Sequence, residues 1–513
     1  MGFRTVLAVV ALAGVGAVAL EALSPGEAAA HALGSSFPLP VPLWLYLAGA
    51  AIAVAASFVV AVIFVKPPAD PPRYPTRPIR ESVARWGGTI LKVVGLAWWY
   101  GAIATGFVIG GITYLPAVLF WIGIWVAIPM TAALLGNPWP SLSPFRTTHD
   151  LLDAVVRWLF RGRRLDLGLP MFPVGRLPAV IGLFVFLILE LVWPDRLNPS
   201  AIAVLLAGYT VVTLVGMTLF GSVTWLRSFE LFEIMNGWFG RVGPIGRRTR
   251  RSELCANCTD GCNSAHCVDC AECVAARDGD DQGVDLRWWV TGLTETTRAS
   301  WTDAAFIVMA LAGVTFDGLQ ETSLGTSILS ALFMPLSTSF GPLAASYLSP
   351  VLMLAGVFGV FMLVFATAAD LTRRLGQRGD EGTSGDAGLT MVAPLGQVAG
   401  AYAPTLLPIA SGYLVAHYLT LVLQGVVWLP QLIIYPAALA PTLDVIPTAA
   451  IWYLSVGAIV VGHIAAVVLA HRLALRDQAW RPIVAGLPLV IVMIGYTVLS
   501  LWIIAQPIVV EPK

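Results

Sequence analysis

The feature that most constrains this chain is a series of uninterrupted apolar runs, each about as long as a helix needs to cross the hydrocarbon core of a bilayer. They centre on residues 41–65, 88–110, 112–136, 177–194, 200–221, 302–318, 349–370, 402–426, 449–471 and 483–505. A segment of that kind must satisfy its backbone internally, so each run reads as a helix. Composition agrees: 57% of the 513 residues are hydrophobic and 12% charged, against about 25% charged in an ordinary soluble domain. The expected fold is all-α, a polytopic integral membrane protein with about ten transmembrane helices and the lipid bilayer as its surroundings. The formal net charge of zero argues against a nucleic-acid partner.

Residues 1–30 have the layout of a secretory signal: Arg4, an apolar stretch from Val6 to Leu20, then small residues including Ala28 and Ala30. Cleavage before His31 is expected, an uncleaved signal anchor being the alternative. A new chain end at His31 would offer an amine and an imidazole to a copper ion.

The basic residues set the orientation. Lys66, Arg73, Arg77, Arg80 and Arg85 share one side with Arg146, Arg157, Arg161, Arg163, Arg164 and Arg176, as do the arginines of the middle loop, Arg373, Arg374 and Arg378, and Arg472, Arg476 and Arg481. Only Arg196 and Lys513 fall on the other. By the positive-inside rule the mature N-terminus and the C-terminus lie outside a prokaryotic cell membrane and the middle loop lies in the cytoplasm. The chain then divides into a first helix group (31–225), a cytoplasmic loop (226–300) and a second group (301–513). Within the inner segments, Leu151, Leu152, Val155, Val156 and Leu159 recur at helical spacing, as expected of an amphipathic helix on the inner leaflet. Residues 226–239 read as a second such helix. On the outer side, 326–347 and 429–448 are apolar but broken by Pro335, Gly341, Pro342, Pro430, Pro436 and Pro441.

Two constellations carry chemistry. The first is Cys255-x2-Cys258-x3-Cys262-x4-Cys267-x2-Cys270-x2-Cys273, which holds every cysteine of the chain, with His266 inside it. In a reducing cytoplasm such thiols favour a soft metal over disulfides. Cys255/Cys258 and Cys267/Cys270 could close a tetrahedral zinc site. Iron–sulfur is the rival, since Cys267, Cys270 and Cys273 match the start of a bacterial ferredoxin run, with Cys262 as a fourth ligand.

The second is the set of ionisable residues inside the apolar runs: Lys92, Glu190, Asp317, His417, His463 and His471. Such groups are costly in lipid and mark functional sites. Lys92 and His471 lie near helix ends and can reach the interface. Asp317 and Glu190 should lie about 20–22 Å above the inner ends of their helices. Counted from Pro408, His417 lies about 13 Å above the inner end, near the depth of His463, so the two would face each other across a helix pair. Asp317, His417 and His463 are therefore the candidate catalytic residues. Imidazoles bonded to Tyr418, Tyr496 or the backbone would instead serve structure alone. No H-x-H, HExxH or G-x-S-x-G motif occurs, and no Gly-Lys pair of a phosphate-binding loop.

Several stretches carry a family resemblance: His31-Ala-Leu-Gly34, Leu39-Pro-Val-Pro-Leu-Trp-Leu-Tyr46, Leu219-Phe-Gly221 before Trp225-Leu-Arg227, and Thr315-Phe-Asp-Gly318. Further on come Ala416-His-Tyr-Leu419, Val461-Gly-His-Ile-Ala-Ala-Val-Val-Leu-Ala-His471 and Gly495-Tyr-Thr-Val-Leu-Ser-Leu-Trp-Ile-Ile-Ala-Gln-Pro507. Together they resemble a family of polytopic prokaryotic membrane proteins labelled fenitrothion hydrolase. The resemblance implies hydrolysis of an organophosphate triester and leaves the cysteine loop unexplained. Three functions follow as expectations. One is a hydrolase in which His417, His463 and Asp317 hold or deprotonate a metal-bound water. Another is a transporter passing a metal ion or small solute along the same residues. The third is a redox or metallocofactor assembly factor built on the thiols.

Overall fold

The computed structural model describes residues 37–38, 40–66, 77–171, 174–249, 282–293, 300–376, 395–443, 446–476 and 482–510. The signal segment, His31 and all six cysteines lie outside the described residues.

The helices are α1 (Leu43–Phe64), α2 (Glu81–Val108), α3 (Leu115–Leu134), α4 (Pro144–Leu159), α5 (Leu177–Leu191), α6 (Pro199–Phe220), α7 (Ser222–Ser228), α8 (Leu231–Gly240), α9 (Trp301–Gln320), α10 (Ser323–Phe340), α11 (Pro342–Gly376), α12 (Leu395–Tyr402), α13 (Leu407–Ile434), α14 (Thr448–Arg476) and α15 (Pro482–Ile508). Local chemistry fixes several of their starts. The Asn198 side chain accepts from the backbone N–H groups of Ser200 and Ala201 at the head of α6, and Ser300 and Asp303 form a reciprocal capping box on α9.

The chain is an all-α polytopic membrane protein. Among the described residues ten helical stretches are long and apolar enough to span: α1, α2, α3, α6, α9, α10, α11, α12 with α13, α14 and α15. They are not the expected ten. The run at 177–194 yields only the 15 residues of α5, about 22 Å against a core of about 30 Å. It nevertheless carries the chain from one end of α6 to the other, since Leu167 and Leu169 bond to Thr218 and Leu219 whereas Ser200 lies at Gly106. The segment expected to be broken at 326–347 is helical as well. Pro335 is carried inside α10, and the turn into α11 is made by Gly341 at φ 84°, so Pro342 opens the next helix and does not end one.

The helices gather into two compact units, one formed by residues 1–70, 299–420 and 442–513, the other by residues 71–298 and 421–441. The two units are thus interleaved along the sequence. In the first unit, α1 packs on α14 and α15, and the short strand β1 (Phe37–Pro38) pairs in parallel with β5 (Val509–Val510). The first span thus belongs with the last two.

Within that unit α13 and α14 run antiparallel at very close range. Ser455 Oγ donates to the carbonyl of Ala416, Gly412 lies on the backbone of Ala458, and Gly462 on that of Pro408. A Cβ built on Gly462 would sit 2.3 Å from the Pro408 carbonyl oxygen. Only glycine allows this approach, as is common where helices meet in lipid. Gly462→Leu is expected to cost roughly 1–3 kcal/mol through overpacking, seen as a lower thermal midpoint in detergent. An unchanged midpoint would contradict the packing.

In the second unit α2 and α6 are antiparallel: Ser200 Oγ donates to the Gly106 carbonyl, and Trp99 Nε1 donates to Thr210 Oγ1 at 2.8 Å. The chain then reverses at Gly221, and α7 folds back along α6 with Trp225 over Gly216. A three-stranded sheet of β2 (Arg77–Pro78), β4 (Gln282–Leu286) and β3 (Ile245–Thr249) completes the unit.

Candidate functional site

Asp317 sits three residues from the end of α9, about 24 Å from Trp301 along the helix axis. Its Oδ2 receives the His417 Nε2 at 2.9 Å and the Tyr418 hydroxyl at 2.7 Å, while Oδ1 accepts from Gln320 Nε2 at 3.3 Å. Adjacent positions on α13 therefore bring an imidazole and a phenol to one carboxylate 100 residues away in sequence. The aromatic surroundings hold the imidazole. Tyr413, one turn earlier, stacks on His417 with ring centroids 5.7 Å apart and planes at 15°, and Tyr418 meets it edge-on at 4.6 Å.

Gly318 is what lets α9 come so near. A Cβ there would meet Ile503 Cγ2 at 2.4 Å, the Tyr413 hydroxyl at 2.9 Å and His417 Cε1 at 3.5 Å. The Thr-Phe-Asp-Gly stretch thus supplies the carboxylate and the room around it.

The arrangement has a definite chemical sense. With Nε2–H directed at the carboxylate, the neutral imidazole carries its lone pair on Nδ1, for which no partner occurs among the described residues. The Tyr413 hydroxyl is buried and likewise makes no hydrogen bond among them. A base and a donor therefore lie in one cluster; the side chains of His417 and Asp317 keep 21% and 20% exposure, while Tyr413 is buried.

His463 does not join them. The α13–α14 register sets residue 408 beside 462 and residue 416 beside 455, so His417 and His463 are separated by about 14 Å along the helices. Their expected equal depth fails because Pro408 does not mark the inner end of the helix. The chain is already helical from Leu395, and Pro408 lies well inside the span. His463 is fully buried with Nδ1 bonded to the Ile459 carbonyl at 2.7 Å, and its Nε2 has no partner among the described residues. His471 is buried farther along α14, edge-on to Phe58. Asp317, His417 and His463 therefore do not form one ligand set, and no group of three or more metal-ligating side chains occurs among the described residues. Lys92 is exposed on α2, and Glu190 is half-buried on α5 in the second unit.

A second polar centre, absent from the sequence-based candidates, lies in that second unit. Glu230 accepts four hydrogen bonds: Oε1 from the Tyr209 hydroxyl (2.7 Å) and Phe232 N (3.1 Å), Oε2 from Trp139 Nε1 (3.1 Å) and Glu233 N (2.6 Å). Beside it Arg146 grips Glu233 through two parallel bonds of 2.7 and 3.1 Å. Tyr209 is midway along α6, so the fold-back of α7 carries these charges to the middle depth of an apolar span. The expectation that 226–239 forms a surface helix is corrected accordingly: Leu231, Phe232, Ile234, Met235, Trp238 and Phe239 of α8 are all buried. Every polar atom of the Glu230 carboxylate is matched, which marks the centre as structural.

No protein-family model, no curated protein and no solved structure matches the chain.

Proposed function

We propose that this membrane protein is a hydrolase acting on neutral organophosphate-type triesters, with His417 as general base. The observation that carries the reading is the Asp317–His417 bond at 2.9 Å, which leaves Nδ1, in a ring stacked on Tyr413, without a partner among the described residues. In this reading Nδ1 takes a proton from water as its oxygen attacks phosphorus. The phosphorus–oxygen bond to the leaving alcohol or phenol breaks, and the imidazolium returns its proton to the departing oxygen. Asp317 orients the ring and stabilises its charged form, and Tyr413 donates to the phosphoryl oxygen. An uncharged, lipid-soluble ester suits a site reached through helices that face lipid. The resemblance to fenitrothion hydrolase-type proteins supports the same substrate class. Membranes carrying the wild-type chain should hydrolyse such a triester, and His417→Ala should lose on the order of 10²–10⁴-fold in rate. Equal rates would dismiss the assignment.

One observation favours a second reading, proton-coupled transport of an ion or small solute. His463 and His471 continue from His417 along α14 in steps of about 12–14 Å, both buried, each with one ring nitrogen unpartnered among the described residues. A stopped ion flux in His463→Gln with hydrolysis intact would favour it.

The termini are proposed to lie outside the cell membrane and the cysteine segment in the cytoplasm, from the arginine asymmetry. The segment is proposed to hold zinc through Cys255, Cys258, Cys267 and Cys270, with Cys262 and Cys273 as further thiols. Metal analysis of purified protein should find about one zinc per chain; iron with visible absorption would assign an iron–sulfur centre, and copper at His31 would show as a second metal.

A further inference from the structure

Helix α4 is built inside out. Two of its polar side chains face the protein, while Asp150 and Arg157 are exposed: His149 is fully buried with Nε2 2.9 Å from Asp166 Oδ1, and buried Asp153 accepts from Leu165 N at 2.8 Å and pairs with Arg157 at 3.2 Å. Its apolar positions face away, with Leu151, Leu152, Val155 and Leu159 exposed and Trp158 at 81%. A helix in water would do the reverse, so this ridge is solvated by something apolar.

The chain beyond α4 locates the ridge. Arg161 at φ 53° and Gly162 at φ 93° form a tight left-handed turn, and residues 165–169 then run back under the helix. There Leu167 N donates to the Thr218 carbonyl and Leu169 N to that of Leu219, both at 2.8 Å. These are last-turn carbonyls of α6, one of the spans. The clamp made by His149 and Asp153 therefore fixes the turn at the level where an apolar span ends, which is the headgroup boundary. Arg157, Arg161, Arg163 and Arg164 are all exposed there, next to the ridge.

We propose that α4 and this turn form a binding surface for anionic phospholipid. The ridge beds among acyl chains and the guanidinium groups of Arg161, Arg163 and Arg164 engage phosphate headgroups, beside Arg157, which is paired with Asp153. Arginine suits phosphate because its planar fork donates two hydrogen bonds at once. Only a lipid offers apolar chains and an anionic phosphate across the same boundary.

The test is amide hydrogen exchange over residues 150–164 of the full-length protein in nanodiscs of phosphatidylcholine alone or mixed with equal parts of phosphatidylglycerol. The anionic lipid should slow exchange there by about tenfold or more and leave the spans unchanged. Combined Arg161→Gln, Arg163→Gln and Arg164→Gln should cancel the difference, and Trp158→Ser should raise exchange in both lipids. Equal exchange of the wild-type chain in the two lipids would overturn the proposal, a comparison that needs no variant to fold. So would the same protection from inorganic phosphate added to phosphatidylcholine nanodiscs, which would make the site one for a free anion.

Discussion

On the proposed hydrolase reading, Asp317→Asn is expected to cut kcat for triester hydrolysis on the order of 10²–10⁴-fold while changing KM little. The substitution keeps the size of the side chain and its place between His417, Tyr418 and Gln320. What it removes is the negative charge that favours the imidazolium formed when the base takes a proton. An amide can also turn its NH2 toward Nε2, which would move the ring proton to Nδ1 and block the base. Steady-state kinetics of the reconstituted protein separate the two parameters. An unchanged kcat with a lower thermal midpoint would make the carboxylate a packing element only.

The second large effect concerns stability. Arg146→Met is expected to destabilise the chain by about 3–5 kcal/mol, because Glu233 would be left as a buried charge without its partner. Glu233→Met should be comparably harmful, since it strands the guanidinium. Replacing both should recover much of the loss, as an apolar pair of similar volume needs no mutual neutralisation. Thermal unfolding in detergent measures all three. If the double variant is as unstable as the singles together, Arg146 and Glu233 act independently and the pair is not the unit.

Hydropathy made most of the spans legible because lipid leaves the backbone no alternative to a helix. The same logic misjudged α10, where Pro335, Gly341 and Pro342 signalled breaks while Ser327, Ser330, Ser337 and Thr338 lowered the apolar score. In the structure these hydroxyls bond back to carbonyls of their own helix, which lets a serine-rich segment remain helical. The buried α8 was missed for a related reason. Arg146, Glu230 and Glu233 read as water-seeking charges, but Arg146 and Glu233 pair with each other and Glu230 is held by four neutral donors, at a depth set by the reversal at Gly221. The apolar pattern of 231–239, interrupted only by Glu233, Asn236 and Gly237, was the available signal. In the candidate site, the cost of charge in lipid singled out Asp317 and His417 separately. Their pairing spans 100 residues, and nothing in either local sequence encodes it. The same reasoning over-reached at His463, whose burial follows from the glycine-mediated approach of α14 to α13.

The proton positions on His417 bear most directly on the account. In protein labelled with ¹⁵N-histidine, at a pH where the ring is neutral and with His417→Gln to assign its signals, Nδ1 should have the shift of an unprotonated nitrogen and Nε2 that of one bonded to hydrogen. Asp317→Asn should disturb both. A proton resident on Nδ1 in the wild-type chain, or signals indifferent to residue 317, would contradict the assignment of His417 as the base.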